Sequence, residues 1–568
     1  MPLKTLVPPP PSMAVALGRW ARQRSGSAVL ARALEEASRA ETDGHACARL
    51  DVGADLDALR AHPWVSDGGR LAPLVLTGGG DCFLWRNWVH EARIAAHVKA
   101  HASDRNGALD ADAEADLEAL FAGVDPKKGA SQIAAVRAMV GQRFFMLSGG
   151  PGTGKTTTVL RMLLMRQRIA QRAGTACSIA MAAPTGKAAQ RLSQAVRQGA
   201  DDLRLTLVTK LDEWEPALAT LPDSAKTLHR LLGSMPREDR FRHDADSPLP
   251  YDLVVVDEAS MVDLALMRAL LDALAPTATL ILIGDPDQLV SVSAGSVLAD
   301  LVASADHLPL SRQHARLDHV WRTEGRLAEV YEVVRGGNRD ALIAMLTPEF
   351  GACWQRVDDA AAVGARLREW IRRPEWTALN EVVAQANADP TIAFARLRSL
   401  QLLTALRDGP FGAADINRWI DDQRRRRHEL GIWYPGRPVL VRHNDYNRRL
   451  YNGDVGVALW HEDRLKVCFE TTDAQGNTQY RYLLPNELPD HDLSYALTIH
   501  KSQGSEYNHV AVLLPPDGDN RILSRQLLYT AVSRARIGVE LWTSEASLNN
   551  ALRKVIERAG GLRQRLSE

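Results

Sequence analysis

The segment Gly149-Gly150-Pro151-Gly152-Thr153-Gly154-Lys155-Thr156-Thr157 constrains this chain more than any other stretch. From Gly149 to Thr156 it fits G-x-x-x-x-G-K-[ST]. The apolar run Arg143-Phe144-Phe145-Met146-Leu147 before it predicts a buried strand. The residues from Lys155 to about Arg172 predict a helix that stops near Gly174. Strand, Gly-rich turn and helix, in that order, give the pattern a physical meaning. Glycines let backbone N–H groups curl around phosphate oxygens with no Cβ in the way, and the helix N-terminus adds its positive dipole end. In that setting Lys155 is expected to reach the β- and γ-phosphates of ATP, and Thr156 to hold Mg²⁺.

A chain of 568 residues has room for several domains. Lys plus Arg and Asp plus Glu each number 69, so the formal net charge is zero. That excludes a polybasic nucleic-acid coat, and any grip on DNA must come from a local groove. The five cysteines are scattered and never spaced C-x-x-C, which implies neither a disulfide framework nor a zinc site and fits a reducing cytoplasm. No signal-peptide core and no membrane-spanning run is visible, so a cytoplasmic protein without membrane association is expected.

Residues 1–125 read as a mainly helical unit with one short strand signal at Leu74-Val75-Leu76. The acidic stretch Asp104 to Asp116 reads as a solvated helix face or linker. From Lys127 the character changes. Gln132 lies on an apparent helix upstream of the phosphate loop, and its amide can pair with both edges of an adenine. Ser178 to Ala182 predicts a second buried strand, running into Pro184-Thr185-Gly186-Lys187 at a helix start. Leu253-Val254-Val255-Val256 predicts a third, ending in Asp257-Glu258. There Asp257 can bind Mg²⁺ through water and Glu258 can polarise the attacking water. A fourth strand, Ala278 to Ile283, feeds Gly284-Asp285-Pro286-Asp287-Gln288, where Gln288 can sense the γ-phosphate. Strands alternating with helices predict an α/β fold on a doubly wound parallel sheet, the nucleotide sitting beyond the carboxyl ends of the strands.

Taken in order, Gly149 to Thr156, Ala183 to Ala189, Asp257-Glu258-Ala259-Ser260-Met261 and Gly284 to Leu289 resemble the motifs of superfamily 1 helicases, closest to the RecD branch, of group 1B. Thr227 to Gly233 resembles the DNA-contacting motif Ib, Tyr495 to Glu506 motif V, and Leu528 to Arg536 motif VI. Val320-Trp321-Arg322 departs from motif IV, which usually has Phe or Tyr before the arginine. The resemblance implies two RecA-like motor domains, at 126–318 and 319–568, behind an N-terminal partner-docking domain, 1–125. It implies Lys155, Glu258 and Gln288 acting on ATP from one side, and Arg322 and Arg534 from the other. Gln132, Gly149 to Thr157, Gly504 and Glu506 would bind the nucleotide. Thr185, Thr227, His229, His500 and Ser502 would touch single-stranded DNA.

Short alternating runs after Pro435, with turn signals at Asn452-Gly453 and Gly476-Asn477, predict a small β-rich insert at about 435–489. RecD-like helicases carry an SH3-like barrel at this place. The run Arg424 to Arg427 reads as a solvated helix end or partner contact. The resemblance implies a 5′→3′ DNA helicase serving as the alpha subunit of the RecBCD helicase–nuclease, exodeoxyribonuclease V. RecB-like and RecC-like partners would accompany it, and it would have no nuclease site of its own. A stand-alone 5′→3′ helicase and a regulatory NTP-binding subunit are the alternatives. Glu258, Gln288 and Arg534, all present, speak against a silent site.

Overall fold

The computed structural model describes residues 12–50, 54–102, 109–235, 238, 240–305, 310–321, 326–445, 447–473 and 478–568. Two parallel sheets organise it. The first has six strands, ordered His314–Leu317, Phe144–Gly149, Thr279–Gly284, Leu253–Val256, Ile179–Ala183, Lys226–Thr227, every pairing parallel. Its four central strands are buried on both faces, which is why they read as unbroken apolar runs. The second has five strands, ordered Ala352–Arg356, Ala535–Thr543, Tyr507–Leu513, Leu400–Thr404, Ala496–Thr498, again all parallel.

Between the second sheet's strands Leu400–Thr404 and Ala496–Thr498 lies an inserted antiparallel sheet of five strands. Its order is Thr478–Leu483, Arg464–Thr472, Val455–His461, Pro438–Val441, His491–Leu493. The last strand lies past the insert's expected end, and the turn signal at Gly476-Asn477 falls outside the described residues. The insert is seated on helix Ala413–His428 by a buried polar network. Asp421 accepts from Tyr434 Oη at 2.6 Å and from Arg437 Nε at 3.2 Å. Arg424, expected at a solvated helix end or a partner contact, is instead buried within the chain, its guanidinium 5.7–5.8 Å from the rings of Trp376, Tyr434 and Tyr495. Aromatic faces and the Asn380 amide take up a cation that the sequence showed only as one of four arginines.

The N-terminal unit holds helices Met13–Ser25, Ala28–Thr42, Ala54–Arg60, Trp85–His101 and Ala111–Leu120. It also holds a mixed sheet, ordered Cys47–Arg49, Asp81–Leu84, Leu74–Leu76, Val65–Ser66. These strands of two to four residues are too short to show a period. The acidic stretch departs from expectation where it is described. Asp110 caps a helix by accepting from Ala113 N at 2.7 Å, and buried Asp116 pairs with Arg172 at 2.6 Å and Arg168 at 3.4 Å.

Past helix Glu545–Arg553 the chain leaves the second sheet and returns to the N-terminal unit. Ala46 N donates to Ala559 O at 2.7 Å, and Ala559 N to His45 Nδ1 at 2.9 Å. Helix Leu562–Ser567 then buries Leu562 and Leu566 in the core that holds Phe83 and Ile94. Buried Glu91 accepts twice from Gly561 N, at 2.9 and 3.2 Å, and Arg565 lies 3.5 Å over the Trp88 ring. Burial pushes the Glu91 carboxyl up to about 7, against the pull of Gly561 N–H and Arg565.

Candidate active site

The phosphate loop leaves strand Phe144–Gly149 and enters helix Lys155–Arg172 through Gly154, which has φ +81°. A Cβ there would also lie 2.3 Å from Gln132 Nε2, so only glycine fits. No side chain caps this helix, leaving its first N–H groups for an anion. Lys155 Nζ donates to the carbonyls of Gly149 and Gly150 at 2.8 and 2.9 Å, folded back along its own loop. Thr153 Oγ1 donates to Gly150 O at 2.9 Å, and Gln132, buried, donates to Thr153 O at 3.3 Å. Gln132 thus braces the loop.

Beside the loop a cavity of about 450 Å³ separates the two sheet units. Pro151 to Thr157, Asp257, Glu258 and Gln288 wall it from the first, Gly504, Glu506 and Arg534 from the second. Gly149 and Gly150 are not among the residues that wall it. Asp257 directly follows strand Leu253–Val256, its N–H donating to Ala182 O at 2.9 Å and its Oδ1 accepting from Glu258 N at 2.8 Å. Burial and the adjacent Glu258 charge raise the Asp257 carboxyl above the usual carboxylate range. Glu258 takes φ +51°, a left-handed conformation that costs a non-glycine residue roughly 1–3 kcal/mol. This acidic pair beside Lys155 and Thr156 suits a divalent cation bound with a nucleotide's phosphates.

A chain of hydrogen bonds crosses the cleft. Arg534 Nη2 donates to Gln288 Oε1 at 2.9 Å, and Gln288 Nε2 donates to Asp285 Oδ2 at 3.0 Å. Tyr529 Oη donates to the same oxygen at 3.1 Å. Arg534 is buried, held also by Thr530 O at 3.1 Å and Ser533 Oγ at 3.1 Å. Asp285 and Tyr529 were missed by the sequence reading, although Gly-Asp-Pro-Asp-Gln and Leu-Tyr-Thr each contain one. A second bridge was missed as well. Arg191 donates to Gly504 O at 2.7 Å and pairs with Glu506 at 3.0 Å, while Arg536 pairs with Glu506 at 3.3 Å. Trp321 N donates to Gly152 O at 2.8 Å and its half-exposed ring lines the cavity. Arg322 lies outside the described residues.

The strand-contact candidates separate. Thr185, Thr227 and His229 share a cavity of about 640 Å³. Thr185 and Thr227 each cap a helix, accepting from Ala188 N at 3.2 Å and Arg230 N at 3.3 Å. His500 lies apart from them, its imidazole pKa lowered by burial and by Arg558. Ser502 differs from expectation. It is fully buried, and its hydroxyl donates to Ile499 O at 2.7 Å, shaping the turn rather than facing a strand.

Two family models match this chain, an AAA domain over residues 132–294 and a UvrD-like helicase C-terminal domain over residues 493–541. The RecBCD enzyme subunit RecD of Mycolicibacterium smegmatis is 38% identical over 533 residues, covering 91% of this chain and 87% of the relative. The chain belongs to the RecD family. A second RecD, from Haemophilus influenzae, is 31% identical over 88% of this chain and 82% of its own length. The ATP-dependent RecD2 DNA helicase of Deinococcus radiodurans is 32% identical over 72% of this chain but only 48% of its own. RecD membership therefore extends well beyond the nucleotide cleft. Among solved structures, Pif1 helicase from Bacteroides in complex with ADP-AlF3 and ssDNA overlays with a TM-score of 0.37 at 17% identity, covering 73% of this chain and 91% of that one. Among the described residues, no helix is long and apolar enough to cross a membrane.

Proposed function

We propose that the chain is the ATP-driven motor subunit of a RecBCD-type helicase–nuclease, moving 5′→3′ along one strand of a broken DNA end. RecB-like and RecC-like subunits would be its partners. The observation that carries the reading is the Arg534–Gln288–Asp285 chain, which joins the second sheet unit to the first beside the phosphate loop. A cleft wired this way closes and opens as a unit, so hydrolysis and domain movement are linked.

The residues divide the work by charge. Lys155 would leave the loop carbonyls for the β- and γ-phosphates, and the uncapped helix N–H groups would hold the remaining oxygens. Thr156 and Asp257 would hold Mg²⁺, which supplies charge neutralisation when bound. Glu258, fixed by its strained backbone, would orient the attacking water and accept its proton. Arg534 would meet the charge that develops on the transferred phosphoryl, with Gln288 reporting that contact. Trp321 offers a flat face to a purine beside Gln132. Glu506 suits a ribose hydroxyl, released to it as Arg191 and Arg536 shift. Arg322 belongs with Arg534 in this reading.

We take residues 126–318 and 319–568 as RecA-like motor domains 1A and 2A, the antiparallel sheet as an SH3-like insert, and residues 1–125 as the docking unit. Thr185, Thr227 and His229 would line the strand path on 1A, and His500 would contribute from 2A. The test is ATP turnover and strand displacement by the purified assembly with partner motors disabled. Turnover stimulated by single-stranded DNA, with displacement, supports a motor. Turnover indifferent to DNA would favour a regulatory subunit.

A further inference from the structure

Residues 447–454, between the insert strands Pro438–Val441 and Val455–His461, carry Tyr451 across to the first sheet unit. The loop around it is firmly built. Asp445 and Leu450 exchange backbone hydrogen bonds at 2.7 and 3.0 Å. Tyr451 N donates to Asp454 Oδ2 at 2.7 Å, and Asn452 N to Asn444 Oδ1 at 2.9 Å. At its tip, Arg230 Nη1 donates to Tyr451 Oη at 3.0 Å, the guanidinium carbon 5.8 Å from the ring centroid. On the other side the insert comes very close to the start of helix Gly186–Thr206. A Cβ on Gly186 would lie 3.1 Å from Tyr451 Cβ and 3.2 Å from Cγ. Glycine at this helix start is what admits the tyrosine.

Tyr451 also stands where two cavities meet. One, of about 640 Å³, holds Thr185 and His229; the other, of about 440 Å³, holds Lys226 and Arg449 together with the carboxylates of Asp454, Glu470 and Asp473. Gly186, Thr227, Arg230 and Tyr451 line both. The Tyr451–Arg230 contact therefore stands where the two cavities adjoin, with residues of the first sheet unit on one side and of the insert on the other.

We propose that Tyr451 is the platform on which the insert stacks a base of the translocating strand, and that without a strand it closes the groove by holding Arg230. This rests on the helicase reading. Every base has a π-face, so an aromatic ring in a polar groove grips a strand without regard to sequence, as a translocating motor requires. Arg230, released from the phenol, becomes a partner for a backbone phosphate. Because the loop is already fixed by its own hydrogen bonds, little ordering is left to oppose binding.

The test uses the full chain and a fluorescein-labelled single-stranded oligodeoxythymidine followed by anisotropy. Tyr451→Leu, which keeps bulk but has no π-face, should weaken binding about tenfold, and Tyr451→Ala at least as much. Tyr451→Phe should bind within about twofold of the parent, as stacking survives, and should associate faster because the bond to Arg230 is gone. A thermal melt of each variant guards against misfolding, and the Leu–Phe comparison stands even if Ala unfolds. Parent-like affinity in the Leu variant, or a Phe variant as weak as Leu, overturns the proposal alone. A parent protein that does not bind the oligomer overturns the proposal together with the helicase reading.

Discussion

Arg534 and Lys155 make opposite demands on a substitution. Arg534 is spent on Gln288, Thr530 and Ser533 before any nucleotide arrives, so its position is set in advance. Arg534→Ala should slow hydrolysis by ~10³-fold or more, roughly 4 kcal/mol of transition-state stabilisation. Nucleotide affinity should fall far less, because the charge that Arg534 meets grows mainly in the transition state. Turnover assays beside equilibrium binding of a fluorescent ATP analogue check this, and an equal loss in both would reduce Arg534 to a binding residue. Lys155 donates its hydrogen bonds to backbone carbonyls of its own loop. Lys155→Gln should remove turnover and leave the fold intact, read by a circular dichroism melt beside the turnover assay. Near-parental hydrolysis would unseat the phosphate-loop assignment.

Elements were legible from sequence where burial made them uniform. The strand Leu253–Val256 was read to the residue, because four buried β-formers followed by two carboxylates leave no other period. The helix Lys155–Arg172 was equally plain. Of the N-terminal sheet only Leu74–Leu76 was read, since its other strands, two to four residues long, are shorter than any repeat. Arg424 and Asp116 were misplaced for one reason: a charge looks solvated until the partners that bury it, far along the chain, are known. In the site, the residues inside ordered motifs were readable. The Arg191–Glu506–Arg536 bridge was not, because Glu506 meets Arg536 only through strand pairing and Arg191 only when the two sheets face each other. Glu91 belongs to the same class and carries a test at this scale. Its carboxyl would ordinarily titrate near 4.5 and is raised to about 7 in the fold. Between those values the folded chain keeps a proton that the unfolded chain has released. Rising pH therefore strips stability across that window, by about 3 kcal/mol in full, and the loss is complete above the folded value. Melting temperatures of the parent should fall from about pH 5.5 to about pH 8 more than those of Glu91→Gln. Parallel curves would show that Glu91 is charged throughout.

For the whole molecule, polarity is the sharpest expectation. With partner motors disabled, the assembly should unwind a duplex bearing a 5′-tailed strand, and unwinding only from a 3′ tail would contradict it. The isolated polypeptide should cut no DNA. Asp257 and Glu258 face the nucleotide cavity, while Asp110 and Asp116 are committed to a helix cap and two arginines. Mg²⁺-dependent degradation that copurifies with the chain, and disappears on mutating its carboxylates outside the cleft, would overturn this. The returning tail gives the molecule one more property, in time rather than in space. Phe83 and Ile94 share their core with Leu562 and Leu566, which leave the ribosome after every other member of that core. The N-terminal unit is thus begun first and finished last. A chain stalled after the second sheet would display an open apolar face on its N-terminal unit, so an intact surface there certifies that the motor behind it has been made.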